Sequence, residues 1–151
     1  MSHVRKQLRD AVAAAVADLP TTGSKVFPGR TWPIEDGQYP ALLVYARGGP
    51  SRFDAMAGRD AEIPLERQED ITIEGVCRTR GEEPDETLDQ IAAEVEAAMM
   101  TDDALAALVV RRELVQTDIA TGANGEKRDG AVKLTYRLTC YTPAGDPGTL
   151  V

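Results

Sequence analysis

Over residues 131–142 the chain alternates without interruption. Val132, Leu134, Tyr136, Leu138 and Cys140 fall on one side, and Lys133, Thr135, Arg137 and Thr139 on the other. A two-residue period sustained that long predicts a strand with one face against a core and one face polar, and therefore a sheet with an apolar layer laid over one side. A second segment, 69–79, has the same character, with Ile71, Ile73 and Cys77 opposed to Thr72, Glu74 and Arg78, and Gly75 marks a bulge or a point of close packing. The apolar run at 39–46, opened by Tyr39-Pro40, predicts a strand buried on both faces and central in the sheet.

The layer that covers such a sheet is also in the sequence. Val4, Leu8, Ala11, Val12, Ala15, Val16 and Leu19 recur at helical spacing over 3–18, and Leu19-Pro20 ends the run. A second helix is signalled by Glu82-Glu83-Pro84-Asp85-Glu86, acidic residues and a proline at an N-terminus, and by the stripe Leu88, Ile91, Ala92, Val95, Met99. Thr101-Asp102-Asp103 caps a short third helix carrying Leu105 and Leu108, and 110–120 reads as a further strand. Residues 24–38 suit a short strand followed by an irregular loop. The fold class is therefore α+β, a mainly antiparallel sheet of about four or five strands with two main helices packed on one face. With 151 residues the chain suits one domain, assigned to 1–142, with 143–151 as a Pro/Gly-rich tail.

Two regions escape periodicity. Residues 47–66, with Gly48-Gly49-Pro50 and Gly58, read as a long loop, and 121–130, around Asn124-Gly125, as a hairpin with a long polar tip.

Chemistry is conspicuous by what is missing. The single histidine, His3, sits in a first turn expected to fray, which removes histidine-based triads and Cys/His pairs. Cys77 and Cys140 fall on the apolar sides of strands and read as buried free thiols, with a disulfide possible but not implied. Glu66, Glu69, Asp70, Asp102 and Asp103 have no spacing of a calcium or magnesium loop, so no metal and no cofactor is expected. Gly48-Gly49-Pro50 lacks the lysine and helix start of a phosphate loop. A net charge of −8 disfavours binding to nucleic acid through phosphates, and leaves DNA at most as something that passes. No apolar run reaches bilayer length and no signal-peptide core follows Arg5 and Lys6, so a soluble, non-exported chain without a membrane partner is expected.

Taken in order, several segments resemble the tail terminator of lambda-like phages, the minor tail protein U family. These are Leu8-Arg9-Asp10-Ala11-Val12, then Phe27-Pro28-Gly29-Arg30 with Tyr39-Pro40-Ala41-Leu42-Leu43-Val44-Tyr45. Pro84-Asp85-Glu86-Thr87-Leu88-Asp89, Met99-Met100-Thr101-Asp102-Asp103 and Leu134-Thr135-Tyr136-Arg137-Leu138-Thr139-Cys140-Tyr141 complete the series. The resemblance runs from about residue 3 to residue 142 and departs at 47–66, the hairpin tip and the tail.

It implies a non-enzymatic structural protein that forms a ring, hexameric in that family, on a completed tail tube, stops tube polymerisation and presents a surface to the head. The partners so implied are other copies of the chain, the major tail tube protein and head-tail connector proteins, in the host cytoplasm during assembly and then at the tail-head junction of the virion. Arg52, Phe53, Met56 and Arg59, together with Asn124, Lys127 and Arg128, are the candidate subunit or tube contacts, because loops with Arg, Met and aromatic residues favour interfaces. Another neck or tail-completion protein is the nearest alternative. A small carboxylate-dependent hydrolase, using Glu66, Glu69, Asp70 or Asp102, and a monomeric binding module are more distant ones.

Overall fold

The structure, a computed structural model, describes residues 2–29, 31, 33–53 and 63–151. Its axis is a pair of 17-residue strands, β4 (Pro64–Arg80) and β6 (Lys127–Pro143), joined antiparallel without a register break from Pro64 opposite Pro143 to Arg80 opposite Lys127. On one side of this ladder lie β2 (Ala41–Gly48), paired antiparallel to β4, and β1 (Val26–Pro28), parallel to β2. On the other side β5 (Arg111–Asn124) pairs with β6 and forms the sheet edge. A three-residue strand, β3 (Ser51–Phe53), continues along β4 beyond the end of β2, giving six strands.

Three helices cover one face: α1 (Val4–Ala15), α2 (Asp85–Thr101) and α3 (Asp103–Leu108). The predicted stripes meet the predicted strand faces. Val4, Leu8 and Val12 of α1 and Leu88, Ile91, Val95 and Met99 of α2 share one core with Leu42, Val44, Ile71, Ile73, Val132, Leu134, Tyr136, Leu138 and both cysteines. Full burial of each large aliphatic side chain stabilises the fold by roughly 1.5–3 kcal/mol against leaving it exposed. The two-residue alternation of β4 and β6 is therefore held in register by the helices above it. The opposite, helix-free face carries a ladder of polar contacts instead. Arg137 donates to Asp70 at 2.9 and 3.1 Å, the Thr72 and Thr135 hydroxyls meet at 3.0 Å, and Tyr45 donates to Glu74 at 3.0 Å.

Several expectations are corrected. The 47–66 segment is not one long loop, because β2 runs to Gly48, β3 occupies Ser51–Phe53 and β4 begins at Pro64. Gly48-Gly49-Pro50 is a kink within a nearly continuous edge, with the Pro50 carbonyl accepting from the Gln68 amide at 2.9 Å. A Cβ on Gly49 would lie 1.8 Å from the Gln68 carbonyl oxygen, so only glycine lets the two backbones approach so closely. The 121–130 tip is likewise short: β5 and β6 pair out to Asn124 and Lys127, and the turn is Gly125-Glu126 with Gly125 at φ 65°.

The segments on either side of the domain are both held. His3 caps α1, its Nδ1 accepting from the Arg5 amide at 3.0 Å, rather than fraying. The 143–151 segment folds back over that cap. The Pro147 carbonyl accepts from the Val4 amide at 2.7 Å, the Gly148 carbonyl accepts from the Gln7 side chain at 2.7 Å, and Leu150 packs against the core. The helix stops at Ala15, earlier than expected, and the chain reverses with Asp18 in the left-handed region at φ 58°.

Gly75 is a site of close packing, not a bulge, since β4 and β6 stay in register through it and a Cβ there would come within 2.6 Å of Ile91 Cγ2 and 3.2 Å of Val132 Cγ1. Gly75→Ala is expected to destabilise the fold by about 1–3 kcal/mol through overpacking, whereas Gly122→Ala, with nothing within 4 Å of its Cβ, should change little. Urea midpoints of the two variants check this. A pH effect follows from the cap: burial first, then the Arg5 charge, holds the His3 imidazole below its ordinary value, so the folded state favours the neutral ring that accepts from Arg5. That contribution is complete above about pH 6.5 and is lost as pH falls through the lowered folded value. His3→Asn, a cap that does not titrate, should narrow the gap between stability at pH 7 and at pH 5 relative to the parent chain.

Candidate functional site

The candidate contact residues fall into two groups at opposite ends of the β4–β6 ladder. Arg52 and Phe53 lie on β3, opposite Glu66 and Leu65. Lys127 and Arg128 open β6, opposite Arg80 and Thr79. From Glu66 to Thr79 the strand rises roughly 40 Å, so no single contact spans both groups. Met56 and Arg59 lie outside the described residues, and Asn124 closes the hairpin by backbone pairing with Lys127.

At the first end, Phe53 is 53% exposed. Arg52, itself exposed, brings its Nε to 3.3 Å from Glu66 Oε1, and Glu66 is buried and also accepts from the Tyr141 hydroxyl at 3.1 Å. The guanidinium thus balances an enclosed carboxylate, while the neighbouring ring is left to solvent. At the other end, charges alternate in sign. Lys127 lies 3.4 Å from Asp36 and Arg128 3.6 Å from Glu83. Arg78 joins Asp36 and Asp129 while stacking over the Tyr39 ring at 4.8 Å, and the Arg78 side chain keeps Asp36 below the usual carboxylate range.

The carboxylates that a hydrolase would need do not converge. Glu66 and Asp70 lie on the helix-free face, a full four residues apart on β4, and Asp70 is held by Arg137. Glu69 points the other way, buried under α1 with Arg5 Nε at 3.1 Å. Asp102 caps α3 by accepting from the Leu105 amide at 2.8 Å. Among the described residues no group of three or more His, Cys, Asp or Glu is arranged to hold a metal ion.

The chain matches no family model. Among curated proteins nothing matches it either. Among solved structures it is similar to a chain in "Virion of native gene transfer agent (GTA) particle", at 19% identity over 91% of this chain and 92% of that one, with a TM-score of 0.35. A likeness of that TM-score carries no argument about the role of this chain.

Sequence reasoning missed the run of exposed apolar side chains along and just before β5, which holds most of the exposed large apolar side chains among the described residues. Leu114, Val115 and Ile119, with Val110 just before the strand, stay exposed, and among the described residues no strand pairs with the outer edge of β5. A signal was present in Val110, Leu114, Val115 and Ile119 inside a segment read as strand, but edge position depends on strand order, which local pattern does not carry. Arg112 is the exception on β5: it reaches under the end of α2 and donates to the carbonyls of Met99 and Asp102 at 2.9 and 3.0 Å, where the helix dipole favours a cation.

Both cysteines are free and buried, and they lie ten rows apart along the ladder, Cys77 opposite Gly130 and Cys140 opposite Arg67. Burial pushes the Cys140 thiol up to about 11, with the Glu69 charge adding to it, and burial raises Cys77 as well. At pH 8 neither thiol should react with Ellman's reagent in the native protein, and both should react once the chain is denatured. A rapid native signal of one equivalent would mean an accessible thiolate that this packing does not allow.

Proposed function

We propose that this chain is a phage tail terminator: a structural, non-catalytic protein that closes into a ring on the end of a tail tube, halts tube growth and offers a surface for joining the head. The observation that carries the reading is the separation of two unlike surface groups, one exposed and one half-buried, by one continuous ladder. Phe53 with Arg52 stands at one end, and Lys127 with Arg128 at the other. A ring requires a heterologous contact, in which one patch of a subunit meets a different patch of the next, and a stiff body with dissimilar ends supplies both halves. The segments that resemble the minor tail protein U family support the same reading, since they fall on α1, β1 and β2, the start of α2, the α2–α3 boundary and β6. Six copies is the family's ring size, and the tube protein and the head-tail connector are the partners; DNA passes through without being held, in keeping with the net charge of −8. Assembly in the host cytoplasm and residence at the tail-head junction follow from that role.

Head-to-tail contact has a distinctive genetic signature. Phe53→Asp and the double change Lys127→Glu with Arg128→Glu each spoil one half of the contact, so each alone should abolish rings in negative-stain images of the chain mixed with tail tubes. Mixed together, the two variants retain one intact contact between them and should form pairs but no rings. Rings that persist in both variants would remove these residues from the interface, and failure of the parent chain to bind tubes at any concentration would end the terminator reading.

A further inference from the structure

Edge strands expose a row of unpaired backbone groups, and proteins normally blunt them with prolines, lysines, short length or a covering element. β5 has none of these, although it carries the charged side chains Arg111, Arg112, Glu113 and Asp118 and a bulge at Val115. It is 14 residues long, contains no proline or lysine, and every residue on it that is described for burial is exposed except Arg112. Four large apolar side chains sit along it, Val110, Leu114, Val115 and Ile119, between 38% and 67% exposed.

What could cover this edge is indicated by the strand's own sequence. Before a bulge at Val115, Arg111 and Glu113 face the helix-free side, and after it Gln116 and Asp118 do, because the register against β6 shifts between Leu114 and Gln116. If a second β5 runs antiparallel about a two-fold axis between Leu114 and Val115, Arg111 falls opposite Asp118 of the other copy and Glu113 opposite its Gln116. On the helix side Val110 then falls opposite Ile119, and Leu114 meets Val115 at the axis. Each pairing occurs twice by symmetry, and every exposed apolar side chain of the edge gains an apolar partner. The bulge is what keeps the faces consistent, since the extra residue reverses the parity of the strand at its midpoint. A slip that puts Ala120 opposite Arg111 brings Glu113 against Asp118, a pair of like charges, and the opposite slip leaves Arg111 against the uncharged Gln116. The register that joins Arg111 to Asp118 therefore has the best charge complementarity of the three.

We propose that the outer edge of β5 is a self-pairing surface whose partner is the β5 strand of a second copy of this chain, in the register that joins Arg111 to Asp118. The contact is isologous and closed, and so is distinct from the head-to-tail contacts of a ring; a ring that uses both would stack back to back with another.

Sedimentation velocity of the full-length chain over a concentration series tests this, with charge reversals to read the register. Arg111→Asp and Asp118→Arg should each weaken two-fold association by roughly tenfold, two like-charge contacts replacing two attractive ones. The double variant should return association to within a few-fold of the parent. Val115→Lys should leave a folded protein, by an unchanged thermal transition, that no longer pairs. Because all these side chains are exposed, loss of folding is not expected to mimic the result, and rescue by the double variant excludes it. A chain monomeric at every concentration, or single and double variants that associate like the parent, would overturn the proposal. Rings that respond to Phe53 and Lys127 but whose back-to-back stacking is absent, or is unchanged by these substitutions, would also overturn it, while leaving the terminator reading intact.

Discussion

The register between β4 and β6 governs this molecule. Both strands are 17 residues long, they stay paired over their full length, and their inward side chains form the floor on which all three helices sit. A slip of one residue would turn Ile71, Ile73, Val132 and Leu134 to solvent and bring Thr72, Lys133 and Arg137 under the helices. Close contacts allow no such slip. Gly75 lies beneath Ile91, and Gly130 beneath Pro84 and Leu88, where an added Cβ would come within 3 Å of its neighbours. The helices therefore fix the sheet as firmly as the sheet fixes the helices.

Burial on one face leaves the other to polar chemistry, and the two solutions differ in kind. Under the helices the one buried charge on β4, Glu69, is met by Arg5 from α1. On the helix-free face Asp70 with Arg137, Thr72 with Thr135 and Tyr45 with Glu74 tie neighbouring strands across the sheet. Of the acidic side chains that a search for catalytic carboxylates would single out, these pairs engage Glu69 and Asp70. Their placement gives a plate with chemically distinct ends and, at β5, an edge that no described strand covers.

Much of this architecture was legible in the residues alone, for physical reasons. Alternation in 131–142 and the stripes of α1 and α2 report burial directly, so strand, helix and the shared core could be read from spacing. Asp102 announced the α3 cap because few residue types accept from a free helix amide. What escaped was whatever depends on distant partners. Gly48-Gly49-Pro50 read as loop because its role is to let the Gln68 carbonyl approach, and nothing nearby in sequence says so. Residues 121–124 and 127–130 read as a polar tip because their side chains are polar, small or absent and carry no apolar rhythm, although the two strands pair through them. The candidate contacts were chosen by residue type, and only the topology revealed that they occupy two ends of one ladder and that β5 is an edge.

The path of the chain also has a consequence for the order of events in the cell. β6, the strand that joins β4 to β5, follows both β4 and β5 in sequence, the Val4 amide of α1 is met by the Pro147 carbonyl, and the Gln7 side chain donates to the Gly148 carbonyl. Until residues 127–148 have been made the helix start lacks its acceptor and the sheet lacks its spine, so a polypeptide without them has no finished surface to offer a neighbour. Folding is in this way tied to a segment far along the chain, and a fragment that stops before β6 carries its two halves without the strand that unites them.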